Sequence, residues 1–301
     1  MKLRRVYVAA AVAVALAAAG CANNEDSDSG SGGAQPSASG TAGFSLDNVK
    51  KDDALAAQVD SKYSSDGKLV VGTDPTYEPN EFKQGGKIVG FDVDLGSAIG
   101  KKLGLNAEFQ ESKFDAILPA LGSRYEIGMS SFTDNPEREK VVDFVTYFSA
   151  GTQWASKDAS FDPDNACGKK VAVQTGTVQD TDDLPARQKK CAGNAIQVQR
   201  YDAQDEATNS VVLGKADAVL ADSPVMAGAV KKVGGGLQLV GDVYDSAPYG
   251  IAIPKTAGTT KDAVLGAVKA LVSDGTYKAI LDKWGVSNGA ITDPVINGAS
   301  S

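Results

Sequence analysis

The chain has 301 residues, and its 30 basic and 38 acidic side chains give a formal net charge of −8. An acidic chain is a poor binder of nucleic acid, because phosphate contacts from Lys and Arg dominate that affinity. The sequence contains no histidine, which excludes Ser-His-Asp and Cys-His catalytic sites and every metal site that uses a His ligand. We expect no cofactor and no bound metal.

The first 21 residues are typical of an exported lipoprotein. Lys2, Arg4 and Arg5 precede an apolar run from Val6 to Ala19. This run is shorter than the roughly 20 residues that cross a bilayer, and it indicates a secretory signal. It leads into Ala-Gly-Cys, which resembles a bacterial lipobox. We therefore expect diacylation of Cys21 and an extracytoplasmic protein that is lipid-anchored to the bacterial cell membrane. An ordinary signal peptide with an incidental cysteine is the alternative.

Residues 22–65 are predicted to be a disordered tether between this anchor and the folded body. From Ala22 to Gly43 the sequence is mostly Asn, Asp, Ser, Gly and Ala. A segment without large apolar side chains cannot offset the entropy that it loses on ordering. The remaining body is large enough for two lobes. After Gly285 the chain is again rich in small and polar residues, and residues 290–301 are predicted to be a loose tail.

From Lys68 onward, short β-rich runs alternate with helical patterns, which is typical of an α/β fold. Helices are predicted at 92–103 and 114–121, and two more begin near Thr259 and Thr276, the second ending at Gly285. Strands are predicted at 68–72, 87–89, 107–109, 125–129, 169–174, 216–220 and 249–253.

Two cysteines, Cys167 and Cys191, lie in the body of the chain. An even pair beyond an export signal favours a disulfide; two separate buried thiols are the alternative. Closing a loop of this size would stabilise the fold by about 3 kcal/mol.

Polar and aromatic residues collect after the predicted strands, where open α/β sheets bind their ligands. These residues are Asp74, Tyr77, Glu78 and Asn80, then Ser130, Ser131, Thr133 and Arg138, then Thr175 and Thr177, and finally Asp222. An Arg guanidinium pairs with a carboxylate and an acid pairs with an ammonium. Aromatic faces, here Tyr77 with Phe82 and Phe114, can hold a side chain between them. The set therefore predicts a site for a zwitterion.

The segment Gly90-Phe91-Asp92-Val93-Asp94-Leu95 resembles the signature of the family 3 solute-binding proteins, which serve ABC importers of polar amino acids. Segments 72–77, 114–121, 130–133, 138–144, 176–177 and 216–224 also match the family in its order. The resemblance implies an α/β, two-lobed periplasmic-binding-protein fold of type II, in which helices flank mixed sheets. Lobe 1 would comprise 66–148 plus 250–289 and lobe 2 would comprise 152–245. Two crossover hinge strands would pass near 149–151 and 246–249.

The same resemblance implies a role for each site residue. Arg138 and Thr133, with main-chain N–H groups around Thr177 and Val178, would bind the α-carboxylate, and Asp222 with the Ser131 region would bind the α-ammonium. Tyr77 and Phe114 would stack on the side chain, while Asp74, Ser130, Gln174 and Gln179 would face its tip or the cleft nearby. Asp92 and Asp94 would be structural. A Cys167–Cys191 bond would lie within lobe 2 and leave the hinge free.

The function implied is capture of a polar amino acid by a monomer, which delivers it to a membrane permease and its ATPase. Asn80 and Gln174 depart from common family patterns and leave the ligand side chain open. Asp74 and Glu78 favour a cationic or amide tip. Two alternatives remain: a dehydratase of prephenate-like acids with Glu78 as its acid, and a sensor domain. A deaminated substrate would not need both Arg138 and Asp222.

Overall fold

The computed structural model describes residues 43–299. The predicted signal segment, Cys21 and the first part of the predicted tether lie outside the described residues. The strands are β1 Lys68–Thr73, β2 Thr76–Tyr77, β3 Glu81–Gln84, β4 Lys87–Val89, β5 Asn106–Glu111, β6 Ile127–Gly128, β7 Val142–Ser156, β8 Lys170–Gln174, β9 Gln197–Tyr201, β10 Ala218–Asp222 and β11 Gln238–Pro254. The helices are α1 Asp53–Ala56, α2 Phe91–Lys102, α3 Phe114–Ala120, α4 Pro136–Glu139, α5 Leu184–Gln188, α6 Gln204–Val212, α7 Ser223–Val233, α8 Thr260–Ser273 and α9 Thr276–Trp284.

One mixed sheet organises the described chain, with eight strands in the order β5-β1-β6-β11-β7-β10-β8-β9. Its two longest strands, β7 and β11, have 15 and 17 residues and pair antiparallel at its centre. Strand β11 also pairs with β6, and β7 also pairs with β10. These two strands therefore run through both halves of the sheet. The β2-β3-β4 strands form a separate small sheet.

Buried apolar side chains lie on both halves of the main sheet. One cluster joins β1 to α2, α8 and α9 through residues such as Leu69, Leu95 and Val264. Another surrounds Trp154 in β7 and includes Val171 of β8. Cys191 packs against this second cluster and forms a disulfide with Cys167, which confirms the predicted pairing.

The predicted helices agree with the structure to within one or two residues. Helix α2 begins at Phe91, directly after Gly90, whose φ is 140°. A Cβ atom at Gly90 would lie only 2.0 Å from the backbone oxygen of Asn80, so only glycine fits there. Gly285 adopts a left-handed conformation and ends α9 as predicted. No helix within residues 43–299 has the length and apolarity needed to cross a bilayer.

The prediction of a disordered tether up to residue 65 is wrong for its second half. Residues 44–65 include α1, which is capped by Asp52 through 3.0 and 3.1 Å hydrogen bonds from the backbone N–H groups of Ala54 and Leu55. Val49, Val59 and Tyr63 are buried in the same apolar cluster as α2 and α8. These larger apolar side chains, which residues 22–43 lack, supply the burial that orders the segment.

The prediction of a loose tail is also wrong for residues 290–299. Val295 and Asn297 form backbone hydrogen bonds of 2.9 Å with Thr146 and Phe144 of β7. Ile296 forms a β-bridge with Val145. Buried backbone groups need hydrogen-bond partners, and the tail supplies them along this part of β7.

Candidate ligand-binding cleft

A cleft opens where the ends of several strands meet, as expected for an open α/β sheet. The residues that line it are Tyr77, Phe114, Ser131, Thr133, Arg138, Thr177, Val178, Gln179, Ala221 and Asp222. The lining thus includes every residue to which the family resemblance assigns a binding role except Asp74, Ser130 and Gln174. Ala221 is a lining residue that the motifs do not single out, because a small apolar residue inside a strand carries no chemical signal.

The Arg138 guanidinium is held in a defined direction by two backbone carbonyls. Its Nη1 donates to Thr133 O at 2.8 Å and its Nη2 donates to Gly176 O at 3.1 Å. The side chain of Asn135 caps the short helix α4 by accepting a 2.8 Å bond from the Arg138 N–H. Within residues 43–299 the guanidinium forms no ion pair with a carboxylate. It therefore keeps a positive charge and spare donors that can bind an anion.

Aromatic rings pack against one side of this guanidinium. Its central carbon lies 5.5 Å from the centroid of Phe114 and 5.7 Å from that of Phe132, distances that allow cation–π attraction. The two rings are stacked at 4.6 Å, and Tyr77 lies 5.9 Å from Phe114. Phe132 was not predicted as a site residue. Its signal is its place in the matched Ser-Ser-Phe-Thr segment between Ser131 and Thr133.

The carboxylate of Asp222 lies at the end of β10 and is oriented by two donors. Gln179 Nε2 donates to its Oδ1 at 2.7 Å, and Tyr249 Oη donates to its Oδ2 at 2.8 Å. The same Gln179 amide donates to the Thr152 hydroxyl at 3.0 Å. Asp222 makes no side-chain capping bond to α7, so its carboxylate does not serve as a helix cap. Burial raises the pKa of Asp222, and the charge of Arg138 opposes that rise.

Asp74, Gln174 and Tyr77 form a buried cluster beside the cleft. Gln174 Nε2 donates to Asp74 Oδ2 at 2.6 Å and to the Asp202 carbonyl at 2.8 Å, while Tyr77 Oη donates to Gln174 Oε1. Burial raises the pKa of Asp74 to about 6, against the opposing effect of the Gln174 hydrogen bond. The negative charge of Asp205 raises it further. The cluster therefore contains a carboxyl group that titrates close to neutrality.

Ser130 lies behind the cleft wall, where it joins two segments. Its hydroxyl accepts a 2.9 Å bond from the Asp74 N–H and donates a 2.7 Å bond to Glu81 Oε1. Ser131 has a φ of 52°, and its backbone N–H donates to Asp92 Oδ2 at 3.0 Å. Glu81 was not predicted as a site residue, because nothing in its local sequence separates it from a solvent-exposed strand residue.

Three further residues lie outside the cleft: two that the sequence groups with the site and one to which it assigns a structural role. Phe82, grouped with the site aromatics by the sequence, instead packs edge-on against Trp284 with a centroid distance of 5.8 Å. Glu78, the candidate catalytic acid, accepts a 2.7 Å hydrogen bond from Lys232. Asp94 accepts bonds of 2.6 and 2.7 Å from Lys283 and Trp284, which agrees with the structural role expected for it.

The main chain after β8 completes the cleft wall. Gly176, with a φ of 82°, leads to Thr177 and Val178, which directly precede the helical turn Gln179–Asp183. N–H groups at the start of a helix have no intrahelical acceptor, so this turn offers donors to an anion. The Thr177 hydroxyl is turned away and donates to Gln174 O at 2.9 Å.

Comparison with known proteins identifies the group to which these features belong. The family described as "Bacterial extracellular solute-binding proteins, family 3" matches residues 69–287. The arginine-binding protein ArgT of Corynebacterium glutamicum is 38% identical over 251 residues, which cover 81% of this chain and 82% of that protein.

Two solved structures are similar to most of the folded body. An ancestral arginine-binding protein bound to arginine superposes with a TM-score of 0.68 and 36% identity, covering 72% of this chain and 98% of that chain. An ancestral amino acid-binding protein, described as a precursor of cyclohexadienyl dehydratase, has a TM-score of 0.65 and 35% identity over 74% of this chain and 98% of that chain. The expected two-lobed α/β fold is thereby confirmed, with β7 and β11 as its crossover strands. The chain belongs to the bacterial extracellular solute-binding proteins of family 3.

Proposed function

We propose that this chain is the substrate-binding component of an ABC importer and that its ligand is a polar amino acid with a cationic side chain, with L-arginine as the first candidate. One observation carries the proposal: the Arg138 guanidinium, which has no ion pair within residues 43–299, and the Asp222 carboxylate share a cleft that has a buried acid, Asp74, beside it. The arginine-binding relatives support the choice of ligand.

The two charged poles of an amino acid fit the two charged side chains of the cleft. The guanidinium of Arg138 pairs with the α-carboxylate in a two-bond geometry, assisted by Thr133 and by the N–H groups at Thr177 and Val178. Asp222 accepts hydrogen bonds from the α-ammonium. Gln179 orients that carboxylate, and Ser131 lines the same cleft.

The ligand side chain extends toward Asp74. A guanidinium or ammonium there replaces the Gln174 amide as the donor to Asp74 and forms a stronger, charge-assisted bond. Gln174 offers its own oxygen as a further acceptor. Tyr77 and Phe114 lie close enough to stack on the side chain, and stacking of a cation on aromatic faces adds attraction. The negative charge of Asp205, which acts on Asp74, also attracts a cationic side chain.

We propose lobe boundaries at 66–148 plus 250–289 for lobe 1 and 152–245 for lobe 2. With these boundaries, Tyr77–Gln174 and Arg138–Gly176 are contacts between the lobes. The cleft cavity measures about 10 Å³, which is roughly the room that one water needs. An amino acid therefore enters by separation of the lobes, and its contacts with both lobes favour their closure.

We also propose that Cys21 is lipidated and holds the protein, as a monomer, at the outer face of the cell membrane, where it serves a permease and its ATPase. The Ala-Gly-Cys segment after a short apolar run supports this. Replacing Cys21 with Ser should release the protein from the membrane fraction on centrifugation. A Cys21→Ser protein that stays in the membrane fraction would contradict the anchor.

Binding without catalysis fits the contacts of Glu78. This residue is paired with Lys232 rather than aimed into the cleft, so it lacks the position of a general acid. The family and the relatives reported above are binding proteins. No contact in the described residues favours a sensor over a transport component.

Titration calorimetry with L-arginine, L-lysine, L-glutamine and L-glutamate tests the proposal. We expect L-arginine to bind at least about tenfold more tightly than L-glutamine, a difference of about 1.4 kcal/mol. The variant Asp74→Asn should lose this preference and still bind L-glutamine. Tightest binding of L-glutamate, no binding of any amino acid, or turnover of prephenate or arogenate would contradict the proposal.

A further inference from the structure

Two acidic side chains meet in the interior behind the cleft. Glu81 begins β3 and Asp92 lies in the first turn of α2, and both have 0% exposure. The Ser131 hydroxyl lies between them, 3.3 Å from Glu81 Oε2 and 3.4 Å from Asp92 Oδ2. Within residues 43–299 neither carboxyl group forms an ion pair with Lys or Arg.

When two buried carboxyl groups flank one hydroxyl and no cation in residues 43–299 pairs with either, ionisation of one disfavours ionisation of the other. Asp92 has the better donors for a negative charge, because the Ser131 N–H and the Tyr147 hydroxyl donate to its Oδ2 at 3.0 and 2.9 Å. Among the described residues Glu81 has only hydroxyl partners, since Ser130 donates to its Oε1 and the Ser131 hydroxyl lies 3.3 Å from its Oε2. Burial and the charge of Asp92 raise the pKa of Glu81 well above its ordinary value.

The hydrogen-bond network fits a proton on Glu81 Oε2. Its Oε1 then acts as the carbonyl oxygen that accepts from Ser130, while Oε2–H donates to Asp92. The Ser131 hydroxyl accepts from Asn80 Nδ2 at 2.9 Å and donates to Asp92.

We propose that Glu81 is a positioning residue for ligand binding: as a neutral acid hydrogen-bonded to ionised Asp92, it fixes the loops that carry Asp74, Ser130 and Ser131. Through Ser130 it holds the Asp74 N–H, and through Asp92 it holds Ser131 in its left-handed conformation. The proposal rests on the proposed function, since these loops supply the contacts for the ligand.

Calorimetry with L-arginine on two variants of Glu81 distinguishes a neutral side chain at this position from an ionised one. Glu81→Gln replaces the neutral acid with an amide that can still donate to Asp92 and accept from Ser130, so affinity should stay within about threefold. Glu81→Ala removes both bonds, and affinity should fall at least about tenfold. An equal loss in both variants would overturn the proposal, as would wild-type affinity in Glu81→Ala.

Carbon-13 NMR of the carboxyl groups gives a readout that does not depend on the ligand. We expect one Glu side-chain signal with the shift of a protonated acid at neutral pH, absent from Glu81→Gln. The titratable groups that face the pair are Tyr77, Tyr147, Tyr249 and Asp74. Of these only Asp74 titrates near neutrality, so the spectrum of Asp74→Asn identifies its signal. Full ionisation of all Glu carboxyl groups at neutral pH would overturn the proposal, whereas failure of the wild type to bind any amino acid would refute only the proposed function.

Discussion

Arg138 and Asp222 illustrate how single side chains in this cleft are prepared for a ligand. Each is oriented by neutral partners, backbone carbonyls for Arg138 and the hydroxyl and amide of Tyr249 and Gln179 for Asp222. Neutral partners orient these two side chains without cancelling their charges. A zwitterion can therefore pair with both residues and gain charge-assisted bonds, each worth about 1.5–3 kcal/mol.

The raised pKa of Asp74 makes affinity for a cationic ligand depend on pH. Its carboxyl group has a pKa of about 6 before the ligand binds, and a bound cation favours the ionised form. Affinity for L-arginine should therefore be full above this pKa and fall as the pH is lowered through it, by up to about tenfold for each further pH unit. Calorimetry between about pH 7.5 and about pH 5 measures this change.

L-Glutamine and the variant Asp74→Asn are the controls for this pH dependence. The neutral side chain of L-glutamine does not need an ionised Asp74, so its affinity should fall less over the same range. Asp74→Asn should remove the difference between the two ligands. Equal slopes for L-arginine and L-glutamine in the wild type would show that Asp74 does not contact the cation.

The residues that sequence motifs reach are those at the ends of strands or in the segments that follow them. Arg138, Asp222 and Tyr77 were predicted because ligands bind at strand ends in such sheets, and the structure brings all three to one cleft. Glu81 and Tyr249 were not predicted, because their roles depend on partners far along the chain. Tyr249 reaches Asp222 across 27 residues, and Glu81 reaches Ser130 across 49.

At the scale of elements, strand β11 shows where local patterns fail. The sequence predicts a strand only at 249–253, whereas β11 extends over Gln238–Pro254. Gly241 and Asp245 have positive φ values and the register with β7 shifts in this stretch. The local sequence at these irregularities is typical of a loop. The local sequence favours a strand only weakly here, and the strand forms because it pairs with β7.

The disulfide links two segments of the chain, and its effect on stability can be separated from ligand binding. Cys167 and Cys191 are 24 residues apart and outside the cleft lining. Replacing both with Ser should lower the free energy of unfolding by about 3 kcal/mol, since the unfolded chain gains entropy. Chemical denaturation measures this loss.

Binding of L-arginine provides the control for the disulfide variant. Its affinity should stay within about threefold of wild type under conditions where the variant is folded. An unchanged denaturation midpoint would refute the stabilising role. A large loss of affinity in the folded variant would instead connect the disulfide to the cleft.

At the scale of the whole molecule, Gly228 lies at a close approach between the proposed lobes. A Cβ atom at this position in α7 would come within 2.5 Å of Glu78 O and 3.0 Å of Pro79 Cδ. The variant Gly228→Ala should therefore hold the lobes apart and weaken L-arginine binding at least about tenfold. Within α7 itself the change to Ala favours the helix by about 1 kcal/mol, so the ligand-free protein should not lose stability.

Ala227, the exposed neighbour of Gly228 on the same helix, offers a matched control. Ala227→Gly should destabilise α7 by about 1 kcal/mol and leave the affinity for L-arginine nearly unchanged. Wild-type affinity in Gly228→Ala would show that this contact does not limit closure. Thermal melting of both variants checks the stability.

The two-lobed architecture as a whole was predictable from the ordered series of motifs, while both ends of the folded body were not. In the segment 44–65 and in the tail up to Ala299, apolar residues stand among polar ones, and Val49, Tyr63 and Ile296 pack against distant parts of the chain. A sequence window contains only one side of such contacts. The surface on which these side chains pack is formed elsewhere in the chain, so their order could not be predicted from the local sequence.

The pairing of Arg138 with the α-carboxylate is the central claim, and Arg138→Met tests it most directly. Titration calorimetry should compare L-arginine with agmatine, which lacks the carboxylate. The account predicts that the variant, shown to be folded by its circular dichroism, binds L-arginine at least about 30-fold more weakly, equal to about 2 kcal/mol. Agmatine should bind wild type and variant equally. An Arg138→Met protein that binds L-arginine as tightly as the wild type would contradict the account.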